Sequence, residues 1–196
     1  PGVEEEILQR NEVKMTMDAI DYIRNLIKNG RKVGIFSCED PYNTPFHRDL
    51  LKTTDYIHLA PKAAGLVIPE SLDLGLQAKG INAWGIFGHY GIVNGHEVCA
   101  AISALNGHHS YGTDLNKHIK FLARQYQYKP QKSLKDNIID WVETQHKLLS
   151  KLVKEKQNKD VVRGDIIIFA GLVENSTDGK KYTSRVLFLN QNAARH

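Results

Sequence analysis

Four short apolar runs, set apart by stretches with helical spacing, constrain this chain more than any other feature. They are Lys32 to Ser37, with VGIF at its centre; Asp55 to Leu59, which alternates; Ile81 to Gly88, reading INAWGIFG; and Asp165 to Leu172, reading DIIIFAGL. Each reads as a strand, and the third is apolar enough to be buried on both faces. A fifth strand, Tyr182 to Leu189, returns after the hairpin turn Ser176-Thr177-Asp178-Gly179. Between the strands lie helices. Ile7, Met15, Met17, Ile20, Ile23, Leu26 and Ile27 recur at three- and four-residue steps over 4–29, and Asn29-Gly30 ends the pattern. Ser71 to Lys79 is a helix with Pro69 just ahead of it and Gly80 as its stop. Asn94-Gly95-His96-Glu97 reads as a helix start, with Asn94 as N-cap and Glu97 three residues on; that helix runs through Cys99 to Leu105. Further helices are predicted over 113–127 and 133–157. Asp40-Pro41 and Thr44-Pro45 read as loop punctuation. Strands alternating with helices predict an α/β fold: a mainly parallel central sheet flanked by helices, with an antiparallel pair near its C-terminal edge.

Composition narrows the function classes. The chain contains no run of about 18 apolar residues, so no transmembrane helix and no membrane partner are expected, and its start lacks a signal-peptide pattern, which predicts a cytoplasmic location. Net charge is +4, but Lys and Arg are spread along the chain. The densest stretch, Lys147 to Arg163, is interleaved with Leu, Val, Glu and Asp, as on a solvated helix face, so no nucleic-acid partner is expected. Two widely separated cysteines beside nine histidines point to reduced thiols and to a metal.

Ligands of open α/β sheets bind at the carboxyl ends of the strands. Cys38 follows the first strand, His89 follows the third, and His96 and Cys99 lie in the opening turns of the next helix. Catalytic zinc takes three protein ligands and leaves a fourth place open. Cys38, Cys99 and one of His89 or His96 would supply a Cys₂His set, and thiolate with imidazole suits Zn²⁺ better than Mg²⁺ or Ca²⁺. The competing reading is structural: both cysteines as small buried apolar groups, and His89 as a loop histidine.

These residues resemble the β-carbonic anhydrases. That family has a strand ending Cys-x-Asp-x-Arg, where this chain reads Cys38-Glu-Asp40-Pro-Tyr42. It then has a helix opening Ser-Leu-Glu, a short turn, and an apolar strand ending Gly-His-x-x-Cys-Gly. The stretch from Ser71-Leu-Asp to Gly88-His89-Tyr-Gly fits that pattern without a gap. Cys99-Ala-Ala-Ile-Ser-Ala-Leu105, the helix around Leu115 to Arg124, the late strand and the Asp178-Gly179 turn continue the likeness, which covers roughly residues 30–190. It implies one β-carbonic-anhydrase-like domain over 1–196, with 1–30 as an N-terminal helical arm, assembled as a homodimer or homotetramer. It also implies a carbonate dehydratase-like zinc lyase, hydrating CO₂ reversibly to bicarbonate, with Asp40 orienting the attacking water. Two departures stand out. Tyr42 replaces the arginine that holds the aspartate, and Arg48 is the nearest arginine. The His-x-x-Cys spacing is also broken: counted from Ser71, Ile92 stands where Cys should be, and seven residues, Ile92 to Val98, precede Cys99. That insertion carries its own Gly95-His96. Three arrangements follow: Cys38, His89 and Cys99 as ligands; Cys38, His96 and Cys99 as ligands; or a site without metal. Non-catalytic relatives and hydrolases of CO₂-like molecules such as CS₂ are the alternative functions.

Overall fold

A computed structural model describes residues 18–53, 57–107, 117, 124 and 129–190. Its centre is a five-stranded sheet of order β2-β1-β3-β6-β7. The strands are β1 (Val33–Ser37), β2 (His58–Pro61), β3 (Ala83–Tyr90), β6 (Ile167–Asn175) and β7 (Tyr182–Leu189). The first four in space run parallel and β7 pairs antiparallel with β6 at the edge. This is the mainly parallel α/β sheet that the sequence predicts.

Side chains alternate between two covered faces. Val33, Ile35, Phe87, Phe169 and Val173 lie with Ile20 and Ile23 of α1 (Ala19–Lys28) and Phe46 and Leu50 of α2 (Thr44–Leu51). Phe36, Trp84, Ile86, Ile168 and Leu172 face the other way, with Leu72 of α3 (Pro69–Asp73, continued by a π turn to Ala78) and Ile138, Trp141 and Val142 of α5 (Leu134–Asn158). Period-two strands covered on both sides read as continuous apolar runs for this reason. Burying each of these large side chains contributes about 1.5–3 kcal/mol. Trp84 is fully buried, and Gly34 and Gly75 leave room for its indole: a Cβ at Gly34 would lie 2.5 Å from Trp84 Cζ3.

The helices are capped by the residues before them. Asp18 accepts hydrogen bonds from the N–H groups of Ile20 and Asp21 at the start of α1, and Ser133 accepts from Asp136 N at the start of α5. Two side chains of α5 also fasten the loop after β2. Trp141 Nε1 donates to Ala64 O at 2.7 Å, and Gln145 Oε1 accepts from Val67 N at 3.0 Å. Within that loop Gly65 has φ +68°, and a Cβ there would sit 2.8 Å from Phe87 O and 3.5 Å from Cys38 N. The loop therefore lies directly against the strand ends.

Several expectations need correction. Pro41 and Pro45 do not mark an irregular loop: a 3-10 turn (Pro41–Asn43) leads into α2, because proline fits the first turn of a helix. Asn94 does not cap a helix. Asn94 (φ 51°) and Gly95 (φ 78°) form the turn of a two-stranded hairpin, β4 (Ile92–Val93) and β5 (His96–Glu97). Asn-Gly is the preferred pair for a two-residue turn with both φ values positive. The next helix, α4 (Ala100–Leu105), starts only after Cys99. The predicted segment 4–17 of the first helix and the start of the strand at 55 lie outside the described residues, as does the predicted helix 113–127 apart from Lys117 and Arg124.

Candidate metal centre

The carboxyl ends of β1 and β3 meet beside the start of α4. Cys38 is the first residue past β1, His89 is the penultimate residue of β3, and Cys99 is the N-cap of α4. One ligand atom from each of these three residues lies within 4.8 Å of the others, and all three are buried. The two sulfurs are 3.9 Å apart, and both thiols are free. His96, the other histidine of interest, is exposed on β5 and lies outside this cluster. Ile92 is also exposed, on β4. The seven inserted residues thus form a hairpin that loops out, and its ends are drawn together by Val98 N donating to Gly91 O at 3.0 Å. Cys99 thereby returns next to His89.

The electrostatics suit a cation. Two thiolates on one tetrahedral zinc, each about 2.3 Å from the metal, sit about 3.8 Å apart; the observed 3.9 Å agrees. His89 Nδ1 faces Asn175 Oδ1 at 3.4 Å, while its buried Nε2 has no nitrogen or oxygen hydrogen-bond partner among the described residues. An imidazole with one nitrogen engaged by a neighbour and the other unpaired beside two sulfurs is a typical ligand arrangement. A hydrogen bond from Cys99 lowers the Cys38 thiol pKa against the opposing effect of burial. The same bond, with burial, pushes Cys99 up. Burial pushes the His89 imidazole down, but the adjacent Cys38 sulfur outweighs it and the net shift is upward.

Asp40 stands at the edge of this cluster. Its Oδ1 accepts from Tyr42 N at 3.0 Å, and its Oδ2 faces Ala100 N at 3.5 Å. Among the described residues no arginine pairs with it, and Arg48 is exposed on α2. Tyr42 is 40% exposed and its ring lies over the turn at Gly179, where a Cβ would come within 2.7 Å of Tyr42 Cε1. Tyr42 holds Asp40 through its backbone and points its side chain elsewhere. Beneath Cys38 lies a small polar network. Asn43 Nδ2 donates to Ser37 Oγ at 2.7 Å and to Cys38 O at 3.1 Å, and His47 Nε2 lies 2.9 Å from Ser37 Oγ. Burial lowers the His47 pKa.

The chain matches no protein-family profile and no curated protein. Solved structures do match it. PtLCIB4, a homologue of the limiting CO₂-inducible protein LCIB, superposes with a TM-score of 0.62 at 12% identity, covering 94% of each chain. LCIB itself gives 0.59 at 11% identity, over 88% of this chain and 92% of that one. The β-carbonic anhydrase CcaA gives 0.52 at 16% identity, over 84% and 78%. The fold is β-carbonic-anhydrase-like. On this fold, three of the sequence candidates, Cys38, His89 and Cys99, share one place, with Asp40 at its edge. The β-carbonic-anhydrase-like reading of the sequence missed Asn175 and Ala100 N–H. Strand β6 was expected to end at Leu172; carried three residues further, its period-two alternation puts Asn175 on the same face as Val173, the partner of His89 in β3.

Proposed function

We propose that this chain is a zinc-dependent, carbonate dehydratase-like lyase that interconverts CO₂ and bicarbonate, with Cys38, His89 and Cys99 as metal ligands. The observation that carries the reading is the buried Cys₂His cluster, with its sulfurs at 3.9 Å and an unpaired His89 Nε2. Three protein ligands leave the fourth tetrahedral position open, the pattern of catalytic rather than structural zinc. A zinc ion held by these three residues would supply a water of lowered pKa as the nucleophile. The chain's own residues do the rest. Cys38 and Cys99 offset the cation's charge. His89 would bind through Nε2, with Nδ1 held by Asn175. Asp40, with one oxygen on Tyr42 N–H, accepts a hydrogen bond from the attacking water and aims it at the CO₂ carbon. Support for the activity comes from the chemistry of this donor set and from neighbours whose names refer to carbonic anhydrases or CO₂.

One observation favours a second reading, a non-catalytic relative or a hydrolase of another CO₂-like molecule such as CS₂: among the described residues Asp40 is held by peptide N–H groups and not by a fixed cation. Stopped-flow CO₂ hydration on zinc-loaded protein separates the two. The reading expects a rate well above that of free zinc, and a rate equal to it rejects the enzyme. The same reading carries a cytoplasmic location, since two free thiols suit a reducing compartment, and a homodimer or homotetramer. No described helix is long and apolar enough to cross a membrane.

A further inference from the structure

We propose that Asn175 is a positioning residue that joins the His89 imidazole and the Asp40 turn into one unit, taking over the role of the arginine that Tyr42 replaces. The inference rests on the proposed metal-centre reading and deepens it. β3 and β6 are parallel, with His89 paired to Val173. Asn175 lies two residues further along β6, on the same face, so its side chain stands beside the His89 ring. A Cβ at Gly91 would lie 3.0 Å from Asn175 Cβ, so the backbone leaving β3 runs close beside Asn175.

Hydrogen-bond chemistry then fixes each group in turn. Asn175 Nδ2 lies 2.9 Å from Tyr42 O. A carbonyl oxygen only accepts, so the NH₂ end of the amide must face it. The oxygen end therefore faces His89 Nδ1, at 3.4 Å. That oxygen also only accepts, so Nδ1 carries a proton and Nε2 is the nitrogen available to the metal. On the other side of the same peptide pair, Tyr42 N–H donates to Asp40 Oδ1 at 3.0 Å. An unbroken path thus runs from imidazole to amide, to the Tyr42 backbone, to the carboxylate. A cation beside Asp40 would fix the carboxylate by charge. Asn175 fixes the turn that bears it, and with the same amide selects the histidine tautomer.

Two variants separate the two arms. Asn175→Asp keeps an acceptor for His89 Nδ1–H and loses the donor to Tyr42 O; Asn175→Ala loses both. Three readouts apply: zinc affinity by chelator competition, the His89 tautomer by ¹⁵N NMR of metal-free protein, and hydrogen exchange of Tyr42 N–H. Asn175→Ala is expected to weaken zinc binding by about 10–100-fold, the usual cost of losing a partner of a metal-bound histidine, and to mix the tautomers. Asn175→Asp is expected to keep the tautomer and near-normal zinc affinity. Both variants should speed Tyr42 N–H exchange by about fivefold, because the turn opens more readily once the bond from Asn175 to Tyr42 O is lost. Unchanged tautomer, zinc affinity and exchange in both would overturn the proposal. Should the alanine variant not fold, the aspartate variant decides alone, since faster Tyr42 exchange with the tautomer kept is a pattern that general destabilisation does not give. A chain that hydrates no CO₂ yet shows these responses sinks the enzyme reading and keeps the role of Asn175; an active enzyme without them does the reverse.

Discussion

Replacing Asp40 separates its structural role from its chemical one. Two peptide N–H groups depend on this side chain: Tyr42 N at 3.0 Å, in the 3-10 turn that Asp40 caps, and Ala100 N at 3.5 Å, at the start of α4. Asp40→Ala removes both acceptors. Loss of a cap costs about 0.5–2 kcal/mol, and the longer contact adds little. For a chain of this size each kcal/mol moves Tm by about 2–4 °C, so a fall of about 1–8 °C is expected. Asp40→Asn keeps Oδ1 as acceptor for Tyr42 N–H and loses the charge and the contact to Ala100. Its Tm should stay within about 2 °C of the parent, since the short bond survives. If Asp40 orients the attacking water, both variants should lose CO₂ hydration by about 10²-fold or more, because the amide cannot act as the acceptor a carboxylate is. Differential scanning fluorimetry and stopped-flow assays on zinc-loaded protein read the two effects independently. Full activity in Asp40→Asn would refute the assignment, and so would an activity loss that simply tracked the fall in Tm across both variants.

Two further expectations test the scaffold. Gly34→Ala puts a methyl 2.5 Å from Trp84 Cζ3 in a fully buried site, so overpacking should cost about 1–3 kcal/mol; Trp84→Phe in the same chain should recover part of the lost Tm, and additive losses would show that the two do not interact. His146 is half-buried, stacked on Phe188 with its Nε2 unpartnered among the described residues, and that burial lowers its pKa. Its proton is therefore taken up more readily by the unfolded chain. Stability is unaffected by this group above about pH 6.5 and declines as pH falls from there towards the lower folded value. His47 and His58 shift in the same direction. Urea midpoints should thus drop between about pH 7 and pH 5, less so in His146→Leu; an equal drop in both would remove His146 from the account.

The sheet was legible because its signal is local. Strands buried on two faces are runs of apolar residues, and the hairpin around Asp178-Gly179 is marked by its turn residues. The helix of residues 44–51 was obscured by prolines that read as breaks unless their place in the first turn is known. The misreading at Asn94 came from a real ambiguity: asparagine with a glutamate three residues later fits a capping box, and Asn-Gly fits a hairpin. Both signals were present, and the apolar residues Val93 and Val98, buried on either side of the hairpin, decided the outcome. The choice between His89 and His96 could not be made from spacing, since only the hairpin's closure sets their distances from the two thiols. Asn175 was illegible for a different reason. Its importance comes from a neighbour 86 positions away in the chain, and no local pattern carries that information.

The most direct test of the metal centre is X-ray absorption at the zinc edge on protein purified without chelators. The account predicts about one zinc per chain, with two sulfur neighbours at about 2.3 Å, one imidazole nitrogen near 2.0 Å and one further light atom; Cys99→Ala should remove a sulfur from that shell, and His96→Ala should leave it unchanged. A protein free of zinc, or a shell unaltered in Cys99→Ala, would contradict the account.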